Sequence, residues 1–459
     1  MKKKIKLSIF LVLSFLLFLV AFSGCGNSLT EQQVESYKQL SEICFSNLQQ
    51  GNYQEVYTTF SDKLKKTLSQ QQLQQAWLQT IQPLGAYQQQ DTISVDTQGS
   101  LVVVTSSHIY EKQSLEMRLS YNKKEQLEGI YFTYQENSGE VQQTTLPQGV
   151  VEEEITITAD EKYPLSGTLT IPQETSSSIP VVVLIQGSGQ SDRDETIYSN
   201  KPFRDIAWGL AQQGIASLRY DKRYYAYAEE AQKIADSITV QQEITDDALA
   251  ALELVQNDAR FSKVFLLGHS QGGMLMPYLA AQNGKLAGAI SMAGSLRSLW
   301  EIMYDQNIQL AELTKNTLSE QQKTTLSQQL LQLESDVQTL KNLKQNQDIK
   351  QKTLLGLPVS YWISLEETEG KQYISQLQIP LLILQGEKDF QVYPDIDYPL
   401  WQETLEQYPN ATFHLYPNLN HLMMPSKGGT IADTSEYAQP DTVDSQVITD
   451  IAQFIHSNS

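Results

Sequence analysis

A serine between two glycines is the feature of this sequence with the clearest chemical potential. Gly268, Ser270 and Gly272 have the Gly-x-Ser-x-Gly spacing, and an apolar run at 264–267 precedes them. This order predicts a buried strand, a sharp turn that exposes the serine hydroxyl, and a helix beginning at Gln271. The glycines are needed because a β-carbon beside so tight a turn would clash with the backbone passing it. Since the free N–H groups and positive dipole end of that helix would face the hydroxyl, the pattern predicts a serine nucleophile beside an oxyanion site.

The chain around this serine predicts the scaffold that would hold it. From residue 150 onward, apolar runs of strand length alternate with helical patterns, which predicts a mostly parallel sheet covered by helices on both faces. Residues 155–158 and 165–171 are typical of an antiparallel hairpin, and residues 180–185 are typical of a fully buried strand. A glycine-rich loop, Gln186-Gly187-Ser188-Gly189, follows that strand.

Residues 150–459 resemble the α/β-hydrolase superfamily, and within it a branch of exported bacterial esterases. In that branch the loop after the first buried strand is His-Gly-Ser-Gly-Pro, followed by an Asp-Arg-Asp-Glu run. Here Gln186 and Gln190 replace the histidine and the proline, while the glycines and the run at 192–195 are present. The resemblance implies a doubly wound α/β fold with a helical cap, and serine esterase activity on a small-molecule ester. For residues 192–195 we expect a solvated loop with a local ion pair of its arginine rather than a part in catalysis.

The same resemblance implies a catalytic triad and an oxyanion hole. It places the triad acid at Asp389, after the penultimate strand, and the base at His421, in the loop after the last strand. The backbone N–H groups of Gln271 and Ser188, with Gly189 as the alternative, would hold the oxyanion. An acyl-enzyme on the serine would form and then be hydrolysed by water, and this chemistry requires no metal and no organic cofactor.

Other residues compete for the acid and base roles. Asp395 and Asp397 lie in the same loop as Asp389, but they follow Pro394, where aspartate is equally well explained as a helix cap or a first-turn charge. Of the other histidines, one adjoins the nucleophile, one lies within a strand, one is in the terminal helix and one is far upstream. These are His269, His414, His456 and His108. Position therefore favours Asp389 and His421.

A helical cap is predicted at about 295–378, between two strands of the sheet. No clear strand is found there, and helical runs cover 299–313, 318–343 and 359–369. An insertion at this point would roof the nucleophile, so its apolar side chains would line the substrate pocket. The candidate lining residues are Trp300, Met303 and Tyr304. The glutamine-rich run at 318–343 also fits a coiled-coil arm for a protein partner.

Residues 1–25 have the pattern of an export signal. A lysine-rich start precedes an apolar stretch at 9–22, and Ser23-Gly24-Cys25 forms a small-residue end. The segment resembles a bacterial lipoprotein signal, which implies lipidation of Cys25, and an uncleaved transmembrane anchor is the alternative. Either anchor would hold the rest of the chain at the cell membrane, facing the extracytoplasmic side. Cys44 would then have no intrachain partner, which excludes a disulfide framework and a thiolate zinc site.

Residues 26–135 predict a small α+β domain, and the polar, turn-rich segment 136–149 predicts a linker to the catalytic domain at 150–459. Helical periodicity covers 34–48, and a second helix begins at Ser69. Strand periodicity then predicts an antiparallel meander with strands at 92–95, 101–110, 115–121 and 127–134. The pattern resembles a nuclear-transport-factor-like domain found before exported bacterial hydrolases. It implies a spacer or a module for a protein or cell-envelope partner.

The net charge of −20 limits the possible partners. A surface this acidic repels the phosphates of nucleic acids, so nucleic-acid binding is excluded. Two alternatives to ester hydrolysis are left open. A peptidase or amidase would use the same triad, and an inactive hydrolase scaffold would serve as a lipid-tethered binding protein. The presence of all the triad residues and of both oxyanion glycines favours an active ester hydrolase.

Overall fold

The computed structural model describes most of the chain and divides it into two compact units. The described residues are 29–81, 84–98, 101–111, 114–135, 145–174, 178–317, 320–343 and 352–459. The division falls between Thr145 and Leu146. The export signal predicted at 1–25, with Cys25, and most of the linker predicted at 136–149 lie outside the described residues. Within the described ranges, no helix is both long enough and apolar enough to cross a membrane.

The N-terminal unit consists of helices followed by an antiparallel sheet. Its helices are α1 (Glu31–Gln49), α2 (Tyr53–Thr58), α3 (Asp62–Thr67) and α4 (Gln70–Ile81). Its strands are β1 (Tyr87–Gln98), β2 (Leu101–Tyr110), β3 (Ser114–Tyr121) and β4 (Leu127–Gln135). The strands pair in the order β1-β2-β3-β4. The sequence did not predict α2 and α3, because a helix of 6 residues is too short to show an apolar period.

Capping boxes begin the two longer helices of this unit. Thr30 and Gln33 exchange hydrogen bonds before α1, and Ser69 and Gln72 do the same before α4. The ends of both helices are therefore set by residues that lie close together in the chain. Their apolar faces pack on the sheet, where Trp77 of α4 is fully buried.

His108 of β2 lies in the core of the N-terminal unit. Its ring stacks on Phe45 with the centroids 3.5 Å apart, and its Nε2 lies 2.9 Å from Ser106 Oγ. Burial lowers the pKa of His108 to about 4. This histidine is a packed core residue.

The C-terminal unit alternates strands and helices. Its strands are β5 (Val150–Ile157), β6 (Leu165–Pro172), β7 (Ile179–Ile185), β8 (Ala216–Tyr220), β9 (Phe261–His269), β10 (Gly288–Met292), β11 (Thr353–Leu354), β12 (Leu357–Pro358), β13 (Leu381–Gly386) and β14 (Ala411–Tyr416). Its helices are α5 (Pro202–Ala211), α6 (Arg223–Ala226), α7 (Ala228–Lys233), α8 (Asp246–Gln256), α9 (Gln271–Asn283), α10 (Leu299–Thr314), α11 (Glu320–Lys341), α12 (Val359–Glu367), α13 (Pro394–Thr404) and α14 (Ser445–Ser457).

Eight of these strands form one sheet in the order β14-β13-β10-β9-β7-β8-β6-β5. β6 is antiparallel to both β5 and β8, and the remaining neighbours are parallel. The central strands are almost wholly buried because apolar clusters cover both faces of the sheet. The predicted doubly wound, mostly parallel sheet is confirmed. Since β7, β9, β13 and β14 run in the same direction, their carboxyl ends share one edge, where the sites of such sheets form.

The cap lies between β10 and β13 and contains α10, α11 and α12. These helices agree to within a few residues with the helical runs predicted there. β11 and β12 pair as a short hairpin that the sequence did not predict, because strands of 2 residues have no period. Leu340 and Leu343 pack with Leu354 and Trp362 in an apolar cluster. The C-terminal end of α11 and Leu343 therefore pack within the cap.

Candidate active site

Ser270 lies in a sharp turn between β9 and α9. Its backbone has φ 52° and ψ −116°, a conformation that residues with a side chain rarely adopt and that clusters at functional sites. Two hydrogen bonds hold the turn, from Ser270 N–H to Met292 O and from Met274 N–H to Ser270 O, both 2.9 Å. The strand, turn and helix that the glycine spacing predicts are all present.

Two glycines make this turn sterically possible. A β-carbon on Gly268 would lie 2.1 Å from Gly272 O, and a β-carbon on Gly272 would lie 2.3 Å from Ile185 O. Both distances are far shorter than a carbon and a backbone oxygen can approach without strain. A side chain at either position would therefore displace β7 or the turn itself.

Asp389 and His421 lie on neighbouring loops at the edge of the sheet where β13 and β14 end. The loops touch through their backbones, since Lys388 N–H donates to Leu419 O at 2.9 Å. A β-carbon on Gly386 would lie 2.4 Å from the same carbonyl oxygen, so only glycine permits this approach. His421 Nδ1 is 2.7 Å from Asp389 Oδ2, and both side chains are buried.

Hydrogen-bond donors surround the Asp389 carboxylate. Its Oδ1 accepts the N–H groups of Gln391 at 2.8 Å and Val392 at 2.9 Å. Its Oδ2 accepts from Gln385 Nε2 at 3.0 Å and faces His421 Nδ1. An ionised carboxylate can only accept, so Nδ1 of His421 carries the proton. In the neutral imidazole, Nε2 is then the unprotonated nitrogen and is available as a base.

His269 connects the serine with this histidine. It directly precedes Ser270, its ring centroid is 4.8 Å from that of His421, and its Nε2 donates to His421 O at 2.9 Å. In the described part of the chain, no hydrogen bond joins Ser270 Oγ to the His421 imidazole. In ligand-free enzymes such contacts are often long and shorten only when substrate binds.

Glu195 is buried beside His269, so the expectation of a solvated loop at 192–195 is wrong for this residue. Its Oε2 lies 2.9 Å from His269 Nδ1, and its Oε1 accepts the N–H of Gly187 at 2.7 Å. Burial by itself lowers the pKa of His269, but Glu195, then the His421 carbonyl and Asp389, raise it overall. Because both ring nitrogens face oxygen atoms, the imidazolium form is stabilised. The sequence provides no spacing from which this burial could be predicted.

The rest of the run at 192–195 has a structural role. Arg193 forms ion pairs with Asp221 and Glu154, in agreement with the local ion pair expected for this arginine. Asp194 pairs with the buried guanidinium of Arg219. These pairs fasten the loop after β7 to the neighbouring strands.

The loop after β7 contains the residues predicted to supply the second oxyanion donor. Ser188 and Gly189 are both exposed. Gly187 lies against the nucleophile, since a β-carbon on it would be 3.0 Å from Ser270 Cβ and 3.5 Å from Ser270 Oγ. Among the residues that the structure describes, neither the N–H of Ser188 nor that of Gln271 has an acceptor. Free backbone N–H groups beside a nucleophile are what an oxyanion hole requires.

The competing carboxylates lie in the first turn of α13, where the sequence places them. Asp395 is exposed. Asp397 is fully buried and binds Arg297 through two oxygens, with Nε at 2.8 Å and Nη2 at 2.9 Å; it also accepts the hydroxyl of Ser295. Within the described residues, neither carboxylate contacts His421. Asp397 is therefore a buried ion-pair partner and more than a charge at a helix end.

A cavity lies between α9 and the cap. Gln271, which directly follows Ser270 in the chain, lines this cavity. Its apolar wall includes Met274, Leu299, Trp300, Leu343, Trp362 and Leu365. Of the candidates from the sequence, Trp300 is in this wall. Met303 packs with the apolar cluster of the cap and Tyr304 is half-buried, and neither lines this cavity.

The described ranges contain no group of 3 or more histidine, cysteine, aspartate or glutamate side chains arranged to hold a metal ion.

Comparisons with known proteins agree with this division of the chain. A family model described as "Serine aminopeptidase, S33" matches residues 198–427, a range that includes Ser270, Asp389 and His421. A second family model, described as "Protein of unknown function (DUF3887)", matches residues 41–130 of the N-terminal unit. Esterase EstD of Thermotoga maritima is 28% identical over 421 residues, which cover 92% of this chain and 95% of that protein.

Three solved structures have a similar chain path. Est1E from Butyrivibrio proteoclasticus is 14% identical with a TM-score of 0.41, over 66% of this chain and 98% of that chain. Proline iminopeptidase from Mycobacterium smegmatis is 16% identical with a TM-score of 0.41, over 67% and 98%. Dipeptidyl peptidase 4 from Porphyromonas gingivalis is 15% identical with a TM-score of 0.44, over 80% of this chain and 44% of that chain.

Proposed function

The chain belongs to the serine aminopeptidase S33 family of α/β-hydrolases, and from this premise we propose that it is a serine hydrolase that cleaves carboxylic esters. The observation that carries the proposal is the buried Asp389–His421 pair at the sheet edge where Ser270 stands on a strained turn. The match to Esterase EstD over 92% of the chain favours an ester as the substrate.

Ester cleavage would proceed through an acyl-enzyme on Ser270. His421 Nε2 removes the proton of the serine hydroxyl as the oxygen attacks the ester carbonyl carbon. Asp389 keeps the other proton on Nδ1 and stabilises the imidazolium that forms. The imidazolium protonates the leaving alcohol as the carbon–oxygen bond breaks. Water, deprotonated by His421, then attacks the acyl carbon. As the bond from that carbon to Ser270 Oγ breaks, the imidazolium returns the proton to Oγ, and the acid leaves.

Two backbone N–H groups would hold the negative oxygen of each tetrahedral intermediate. Gln271 follows Ser270 in the chain, and Ser188 follows Gly187, which lies against Ser270. Neither N–H has an acceptor among the described residues, which supports this role. The N-terminal end of α9 adds the positive end of a helix dipole. Loss of one such donor typically lowers kcat by about 10²–10³. Gly189 is the alternative donor on the same loop.

The cavity under the cap would bind the apolar part of the ester. Gln271 lies in its lining and follows Ser270 directly, while Trp300 and Trp362 supply broad apolar surfaces. Such a pocket discriminates between substrates that differ by one methylene by about 1–3 kcal/mol. The steps of this reaction use protein side chains, backbone N–H groups and water, so no cofactor takes part.

The N-terminal sequence supports a location at the cell membrane. Lipidation of Cys25 would tether the enzyme on the extracytoplasmic side, where the catalytic unit would meet esters outside the cytoplasm. The N-terminal unit would then act as a spacer or bind a protein or cell-envelope partner.

Aminopeptidase activity is the second candidate, and one feature of the cavity favours it. Glu366 and Glu369 are among the lining residues and carry the charge that would attract a free α-amino group. The other ionised side chain of the lining, Arg297, is already paired with Asp397 and Asp305. Glu369 forms no ion pair with another described residue, so an amine-bearing substrate would meet its negative charge there.

A fluorophosphonate probe and two substrate series test these candidates. We expect the wild-type protein to be labelled and Ser270→Ala to remain unlabelled. p-Nitrophenyl esters should be hydrolysed with a higher kcat/KM than aminoacyl p-nitroanilides of similar size. The reverse order would identify an aminopeptidase, and a wild-type protein that is neither labelled nor active would be an inactive scaffold.

A further inference from the structure

Lys222 places a buried ammonium directly behind the oxyanion loop. The residue follows β8 and is only 2% exposed. Its Nζ donates to Gly187 O at 2.9 Å and to Glu243 Oε1 at 3.1 Å. Lysine is almost never buried to this degree unless it is paired. Glu243 supplies the pairing charge. The contact with the Gly187 carbonyl is therefore an additional interaction, and it joins the ammonium to the oxyanion loop.

The hydrogen bond to Gly187 O sets the direction of the next N–H group. In a trans peptide the C=O and the N–H point in opposite directions, so the N–H of Ser188 points away from Lys222. The preceding peptide is held as well, because Gly187 N–H donates to Glu195 Oε1 at 2.7 Å. Glycine has no side chain to restrict its dihedral angles. The hydrogen bonds to Lys222 and Glu195 therefore restrict the backbone of Gly187, which lies against Ser270.

Glu243 connects Lys222 to the cap and to Gln271. Its Oε2 accepts the hydroxyl of Tyr361 on α12 at 2.6 Å, and Tyr361 Oη accepts from Gln271 Nε2 at 2.9 Å. Burial, and then the charge of Glu243, raise the pKa of Tyr361 well above its usual value, so the phenol stays protonated. Ammonium and amide N–H groups only donate and a carboxylate only accepts. The donor and the acceptor are thereby determined in each hydrogen bond that links Lys222, Glu243, Tyr361 and Gln271.

A π-helical turn presents Glu243 to this chain of hydrogen bonds. It spans Gln241–Thr245 and leads directly into α8. Single π-turns are rare and occur frequently at functional sites, because the extra residue in the turn redirects a side chain. Here the redirected carboxylate joins the buried lysine to the buried phenol of the cap helix.

We propose that Lys222 is a positioning residue for the oxyanion hole, with Glu243 and Tyr361 holding its ammonium in place. This inference rests on the proposed function, since an oxyanion arises only if Ser270 attacks a carbonyl. Without the ammonium, the peptide between Gly187 and Ser188 is free to rotate, and its N–H no longer points at the oxyanion. The hydrogen bond from the Ser188 N–H to the oxyanion exists mainly in the transition state, so its loss lowers kcat and leaves KM nearly unchanged.

Lys222→Met tests this role, with Lys201→Met as the matched control. Lys201 also forms one ion pair, with Asp194 at 3.1 Å, but among the described residues its ammonium has no contact with the oxyanion stretch 186–189. With p-nitrophenyl esters we expect kcat of Lys222→Met to fall by about 10–10³-fold, up to the loss of a whole oxyanion donor. A trifluoromethyl ketone, which forms an anionic hemiketal with the serine, should lose affinity by the same factor as kcat/KM. Lys201→Met should keep the wild-type values.

The double variant Lys222→Met/Glu243→Gln separates positioning from stability. The single change leaves the Glu243 carboxylate buried and unpaired, and the second change removes that charge. We expect the double variant to regain thermal stability and to keep the low kcat. Recovery of kcat together with stability would overturn the inference, as would an unchanged kcat in Lys222→Met. If the wild-type protein itself failed to react with a fluorophosphonate, the proposed function would be overturned and this inference with it.

Discussion

Asp389→Asn changes one atom of the acid that holds His421. Asparagine keeps Oδ1, which can still accept the N–H groups of Gln391 and Val392 at 2.8 and 2.9 Å. Its amide nitrogen replaces the oxygen that lies 2.7 Å from His421 Nδ1. Two N–H donors cannot face each other, so the imidazole must move its proton to Nε2. A protonated Nε2 cannot accept the proton of Ser270, and the base is lost.

The expected loss in kcat is about 10⁴, the loss found when the same change is made in a serine protease. At about 1.36 kcal/mol for each factor of ten, this corresponds to about 5.4 kcal/mol of transition-state stabilisation. Stability should change by only about 1 kcal/mol, because the two backbone hydrogen bonds at Oδ1 are retained. The remaining neighbour, Gln385 Nε2, keeps acceptors at Gly386 O and Val392 O.

Asp397→Asn, in the first turn of α13, should have the opposite outcome. The Asp397 carboxylate is fully buried and binds Arg297 through both oxygens. Its neutralisation leaves Arg297 with Asp305 as its ion-pair partner. Breaking a buried ion pair typically costs about 3–5 kcal/mol of stability. We expect a lower free energy of unfolding and a kcat near that of the wild-type protein at a temperature where the variant is folded.

Initial rates on a p-nitrophenyl ester and urea denaturation, measured on the same preparations, distinguish the two variants. Fluorophosphonate labelling of Asp389→Asn should slow in parallel with kcat. If Asp389→Asn kept most of its activity while Asp397→Asn lost it, the assignment of the triad acid would be refuted.

Charge, cavity and anchor each provide another test. Glu195 and its neighbours raise the pKa of His269 above its unfolded value of about 6.5. The protonated His269 beside Glu195 therefore contributes stability that is fully present below about pH 6.5. This contribution is lost as the pH rises through the raised pKa of the folded state. The stability difference between wild type and His269→Asn should therefore be larger at about pH 6 than at about pH 9, and the opposite trend in urea denaturation would contradict the charge assignment. Trp300→Ala should shift the preferred ester chain length more than Met303→Ala, by about 1–3 kcal/mol per methylene; equal profiles would remove Trp300 from the pocket. Cys25→Ser should move the protein out of the membrane fraction, and unchanged fractionation would argue against a lipid anchor.

Features that depend on neighbours in the chain were predictable from the residues alone. The Gly-x-Ser-x-Gly turn is one of them, since a β-carbon on Gly268 would meet the backbone of Gly272 only four positions away. The capping box of Ser69 and Gln72 is another. The helices of the cap were also predicted to within a few residues, because an apolar period continues over several turns.

The choice of Asp389 and His421 needed more than local pattern. The sequence offered several histidines and three aspartates near the penultimate strand, and the resemblance to α/β-hydrolases singled out two. The structure brings these two to 2.7 Å through direct backbone contact between their loops. It also places Asp397 in an ion pair instead. Their roles in catalysis stay predictions until the variants are measured.

Only the tertiary structure revealed the buried polar groups around the site. Glu195 lies in a charged run and Lys222 in a charged loop, and each would ordinarily be exposed to solvent. Their partners, His269, Glu243 and the Gly187 backbone, lie between 8 and 74 positions away in the chain. The spacing of apolar residues shows which face of a helix or strand is buried. It cannot show that a charged side chain is buried because an oppositely charged side chain from another loop packs against it. That pairing is decided by which loops the sheet brings together at its edge.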